Sequence, residues 1–115
     1  MKLIRILILE DDLQTLSKLL DKLYQLEEKL VDSKYKRDCA VTVLSEYTQV
    51  EEYINKSSNP QFDIVLLDRD CKAGGSFHVL DMNKIGVEKI ISISSIPQYN
   101  EELQKLGVIK IVHKD

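Results

Sequence analysis

Four short apolar runs recur along the chain, LIRILIL ending at Leu9, FDIVLL ending at Leu67, KIISIS ending at Ser94 and VIKIVH ending at His113. Their density is that of strands covered on both faces. A fifth run, AVTVLSEY, starts at Ala40 and is less continuously apolar, as suits a sheet edge. Between the runs the period changes to that of helices. Leu13, Leu16, Leu20, Leu23 and Leu30 fall on one helical face, widened by Leu19 and Leu26, which predicts an amphipathic helix over roughly Leu13 to Val31 with Asp11 or Asp12 as N-cap. Thr48 and Glu51 have capping-box spacing and open a second helix carrying Val50, Tyr53 and Ile54, stopped before Ser57, Ser58, Asn59 and Pro60. Ser76 caps a third helix through Ile85, stopped by Gly86, and Tyr99, Leu103 and Leu106 space a fourth, closed by Gly107.

Strands alternating with helices imply an α/β fold, with a parallel sheet joined by right-handed crossovers. In such sheets ligands gather beyond the carboxyl ends of the strands. There the first run delivers Glu10 and Asp11, the third strand Asp68, the fourth Ser94 and the last Lys114. Three carboxylates at one mouth repel one another unless a cation offsets them. Magnesium, which takes a few carboxylates together with water and phosphate oxygens, suits an incomplete oxygen site of this kind. Asp68 is then a carboxylate nucleophile toward a phosphoryl donor, with Ser94 and Lys114 able to bind the phosphoryl oxygens. Taken singly, each position has a blander role: Asp11 or Asp12 as a helix cap, Asp68 as a loop opener, Ser94 and Lys114 as solvated surface groups. Their joint occurrence at successive strand ends favours the chemistry.

Length and composition narrow the class. With 115 residues, 43% of them apolar, the chain makes one domain, residues 1–115, with a packed core. The net charge of -3 argues against nucleic acid or an anionic membrane as the main ligand. Cys39 and Cys71 have no metal-type or disulfide-framework spacing. The opening MKLIRILIL is interrupted by Arg5 and runs straight into Glu10, Asp11 and Asp12, unlike a signal peptide. A cytoplasmic location is the default expectation, with no membrane partner.

These motifs, in this order, resemble the receiver domain of bacterial two-component response regulators over essentially the whole chain. ILILEDD is similar to the family's first strand with its acidic pair, FDIVLLDRD followed by GGSFHVL to its phosphoacceptor segment, ISISS to its fourth strand and GVIKIVHKD to its fifth. The resemblance implies a flavodoxin-like, doubly wound, five-stranded parallel sheet of order 2-1-3-4-5. It places the phosphoacceptor on Asp68 and Mg2+ on Glu10, Asp11, Asp68 and the backbone carbonyl of Asp70. Ser94 becomes the switch hydroxyl and Lys114 the phosphoryl-binding lysine. It further implies phosphorelay signalling, with a histidine kinase or small phosphodonor as partner and no enzyme activity beyond autophosphorylation and autodephosphorylation.

The chain also departs from the pattern. Lys72 stands for the usual proline after the acceptor, Ser76 for a glycine, Ile111 for the aromatic switch residue and Asp115 for the proline after the lysine. The sequence ends where the family's last helix would begin, so the expectation is a sheet face covered by a partner subunit, as in a homodimer, or a chain that is a fragment. Basic Lys34, Lys36 and Arg37 follow the long first helix, which is read as ordinary core plus a solvated extension. Two other readings stay open: a pseudo-receiver that binds without being phosphorylated, and a haloacid-dehalogenase-type phosphatase, whose DxD motif resembles Asp68 and Asp70.

Overall fold

Ile6, Leu7, Ile8 and Leu9 are all buried, so the carboxyl half of the first run has no exposed face and forms an interior strand. The computed structural model describes residues 2–31, 36–68, 74–94, 98, 101, 104, 105, 107 and 110–113. It is an α/β structure on an all-parallel sheet. Strand β1 (Lys2–Leu9) lies between β2 (Arg37–Leu44) and β3 (Ile64–Leu67), β3 pairs with β4 (Ile90–Ser94), and β4 with β5 (Lys110–His113). Strand β2 begins at Arg37, ahead of the expected Ala40, because its ladder runs the length of β1 from Lys2↔Arg37 to Leu9↔Leu44. Backbone hydrogen bonding, rather than apolar density, sets that boundary. Arg37 therefore belongs to the strand, not to a basic connection.

Alternation along β1 splits the core in two. Ile6 and Ile8 face helix α1 (Leu13–Val31) and meet Leu16, with Leu19 and Leu23 packed alongside. Leu7 and Leu9 face the other way, into a larger cluster with Val50, Ile54, Val65, Leu67, Phe77 and Ile90. Helical segments thus cover both faces. Each fully buried leucine or isoleucine of β1 contributes roughly 1.5–3 kcal/mol relative to exposure.

Helix α1 spans the predicted residues, but its apolar stripe is only partly used. Leu13 is 75% exposed, and Leu20 and Leu26 are exposed as well. Its N-cap is Asp12, whose Oδ2 accepts from the Thr15 backbone N–H at 3.0 Å and from the Thr15 hydroxyl at 2.7 Å.

Helix α2 (Tyr47–Val50) continues as a π-helical turn over Glu51–Asn55. Its start corrects the Thr48 expectation. Gln49 Oε1 accepts from the N–H groups of Ser45 and Glu46, at 3.0 and 3.1 Å, so the capping pair is Glu46 and Gln49, two residues earlier. Val50 and Ile54 are buried as expected, but Tyr53 is exposed.

The third predicted helix is two pieces. Ser76 Oγ accepts from the His78 N–H at 3.1 Å and caps a 3-10 turn over Phe77–Val79, and Asp81 caps α3 (Met82–Ile85). Asn55 accounts for the break at Leu80. Its Nδ2 donates to the Val79 carbonyl at 2.7 Å and its Oδ1 accepts from the Asp81 N–H at 2.8 Å, replacing the helical bonds those groups would otherwise make. Lys84 donates in turn to the carbonyls of Asn55 and Ser57. Of the fourth helix, positions 98, 101, 104 and 105 are helical. Tyr99, Leu103 and Leu106 lie outside the described residues. Gly107 has φ 104° and donates its N–H to the Gln104 carbonyl, the stop expected of it.

Candidate functional site

All the strands run the same way, so their carboxyl ends share one edge of the sheet. The register sets the levels there. Leu9 lies beside Leu67, and Leu67 beside Ser92. One step on, the Asp68 N–H donates to the Leu9 carbonyl at 3.1 Å. That bond carries the β1 and β3 backbones past the last residues of both strands and leaves Glu10 beside Asp68 in the next row. Both are buried, Glu10 fully and Asp68 to 8% exposure.

Glu10 is held locally. Its Oε2 accepts from the N–H groups of Asp11 and Asp12, at 3.1 and 3.4 Å, which places the carboxylate against the amides that lead into α1. Such amides stabilise negative charge. Asp11 is half-buried between Glu10 and the capping Asp12. The acidic triplet therefore divides: Asp12 serves the helix, while Glu10 and Asp11 stay at the mouth beside Asp68.

Ser94 ends β4 two residues beyond Ser92, paired with His113 at the end of β5. The strand ends at Leu9, Leu67, Ser94 and His113 thus converge on the same edge. Asp70 and Lys114 lie outside the described residues. Among the described residues no group of three His, Cys, Asp or Glu side chains is arranged to hold a metal ion. Glu10, Asp11 and Asp68 are hard oxygen donors at neighbouring backbone positions, a donor chemistry that fits Mg2+ and not a soft metal.

Two features of this end escape a sequence reading. Ser92 is a buried hydroxyl on the row just below Asp68. The alternation of serine and isoleucine in ISIS carries its signal, since i and i+2 share a face. Gly75, with φ 84°, lies directly under the Tyr47 ring, so closely that a Cβ there would overlap it. This contact ties the segment after Asp68 to the start of α2, and it joins residues too far apart in sequence to suggest it.

The chain matches no protein-family model, and no curated protein matches it significantly. Among the described residues, no helix is long and apolar enough to cross a membrane.

Proposed function

We propose that the chain is a receiver-type phosphorylation switch of the flavodoxin-like, doubly wound class with strand order 2-1-3-4-5, in which Asp68 accepts a phosphoryl group. The observation that supports it most is the pairing of buried Asp68 with buried Glu10 at the carboxyl ends of adjacent interior parallel strands. In this reading an Asp68 carboxylate oxygen attacks the phosphorus of a histidine kinase phosphohistidine or a small phosphodonor. The new O–P bond forms as the bond to the donor breaks, and the donor leaves with that electron pair. Glu10, Asp11, Asp68 and the Asp70 carbonyl would hold Mg2+, which when bound neutralises charge on the phosphoryl oxygens. Ser94 and Lys114 would bind those oxygens and convey the change to a partner.

A second reading has its own observation. Glu10 already accepts two backbone N–H groups, a structural role that needs no metal and favours a pseudo-receiver that works without phosphorylation. Incubation with Mg2+ and acetyl phosphate, followed by intact-mass measurement, separates the two. A single phosphoryl adduct on the wild type, absent from Asp68→Asn, is expected. An unmodified wild type that also fails to bind a beryllofluoride mimic supports the pseudo-receiver instead.

A further inference from the structure

The opposite edge of the sheet, at the amino ends of β1 and β3, holds a cavity of about 450 Å3 that the proposed switch does not use. Three cationic side chains line it, Arg5 from β1, Lys84 from α3 and Lys89 just before β4, together with Gln61, Phe62 and Asp63 from the approach to β3. Asp63 is the one carboxylate among the lining residues, and it is engaged. Its Oδ2 accepts the Arg5 backbone N–H at 2.8 Å, while its own N–H donates to the Arg5 carbonyl. Among the described residues none of the three cations is ion-paired. Lys84 donates to two carbonyls, which anchors its stem at the rim and leaves a third donor on the ammonium. Set against one carboxylate, three cations leave the cavity with a local excess of positive charge in a chain whose net charge is -3.

We infer that this cavity binds a small phosphate monoester. A phosphate monoester carries about -1.5 to -2 charges at neutral pH, which matches the excess, and Arg and Lys are its usual protein partners. The cavity lies within the roughly 300–1,000 Å3 range of small-molecule sites and is larger than a bare phosphate needs. Phe62 packs against the core behind the cavity, and Asn59 and Gln61 on its wall offer polar contacts to the organic part of the ester. The inference is independent of Asp68, since the site lies at the other end of the strands.

Adenosine 5′-monophosphate, adenosine and inorganic phosphate are suitable probes, titrated into the full chain by calorimetry and by amide-resonance mapping. The monophosphate is expected to bind one to one, shift the amides of residues 61–63 and 89, and bind at least about tenfold more tightly than adenosine. Arg5→Gln and Lys89→Gln should each weaken it about tenfold, whereas Lys89→Arg should retain it. Lys84 also anchors backbone carbonyls, so Arg5 and Lys89 carry the test, with circular dichroism confirming that each variant is folded. Equal affinity for adenosine, wild-type affinity in a folded Arg5→Gln/Lys89→Gln double variant, or no saturable binding of either phosphate probe overturns the inference.

Discussion

The Asp68 amide donates to the Leu9 carbonyl at 3.1 Å, and through that bond the Glu10 and Asp68 side chains start from neighbouring backbones. Adjacent strands lie about 4.8 Å apart, so two buried carboxylates that start from neighbouring backbones oppose each other. Removing one charge should therefore stabilise the metal-free chain. Asp68→Asn is expected to gain about 1 kcal/mol in urea unfolding without Mg2+. A ligand of the folded state at ten times its dissociation constant adds about 1.4 kcal/mol. Saturating Mg2+ should accordingly raise the melting temperature of the wild type by roughly 5 °C and that of Asp68→Asn by less than half as much. A metal-free variant less stable than the wild type would mean that favourable partners, not repulsion, dominate at Asp68.

Asp12 should separate cleanly from its acidic neighbours. It caps α1 through the Thr15 amide and hydroxyl, so Asp12→Ala is expected to cost about 1 kcal/mol and Asp12→Ser only a few tenths. Phosphoryl labelling of Asp68 should survive both changes once the chain is folded. Loss of labelling in folded Asp12→Ser would move Asp12 from the helix cap into the site.

How much of the fold and site was legible in the sequence depends on the range of the interaction. Helix α1 is bounded by local signals, a capping aspartate and a leucine period, and its ends fall where those signals put them. The strand runs and the acidic residues at their ends were readable for the same reason, since density and succession are local. The break at Leu80 was not readable, because the Asn55 side chain that creates it comes from another element. Thr48 and Glu51 mimic a capping box that Glu46 and Gln49 in fact supply, because both pairs have the same spacing and only the chain entry from β2 chooses between them. The cationic cavity draws on Arg5 and Lys89, which nothing in the linear order connects.

Asn55 should matter more than its half-buried position suggests. Asn55→Ala removes the bonds to the Val79 carbonyl and the Asp81 N–H, and at about 1 kcal/mol each the expected loss is about 2 kcal/mol. Hydrogen exchange should quicken first at Asp81. Asn55→Asp keeps the acceptor for Asp81 but loses the donor to Val79, so its cost should fall between the two. Unchanged exchange at Asp81 in Asn55→Ala would show that the break is set by the backbone alone.

The Tyr47 ring and Gly75 should be energetically coupled. A side chain at Gly75 meets both a positive φ and the ring, so Gly75→Ala is expected to destabilise by more than about 1 kcal/mol. Tyr47→Ala removes the overlap and leaves only the backbone strain. The double variant should therefore be more stable than the sum of the two losses, by about 0.5 kcal/mol or more. Strict additivity in a double-mutant cycle would disprove the contact.

Cys39 gives the pH prediction. Partial burial, followed by the Glu27 and Asp38 charges, pushes its thiol above the ordinary value of 9.0. Folding therefore favours the protonated thiol, and the contribution to stability is complete below pH 9.0 and declines as pH rises through the folded value. The wild type should lose more unfolding free energy between pH 8 and pH 10 than Cys39→Ala does, with Cys71→Ser in both backgrounds. Because the thiolate is the reactive species, folded Cys39 should also react with iodoacetamide more slowly than a free thiol at pH 8. Glu27 accepts the Cys39 N–H at 3.0 Å, a bond that Glu27→Gln can retain while losing the charge. That variant should speed alkylation without unfolding the chain. An unchanged rate would assign the shift to burial alone, and a slower one would mean that the Glu27 charge favours the thiolate instead of opposing it.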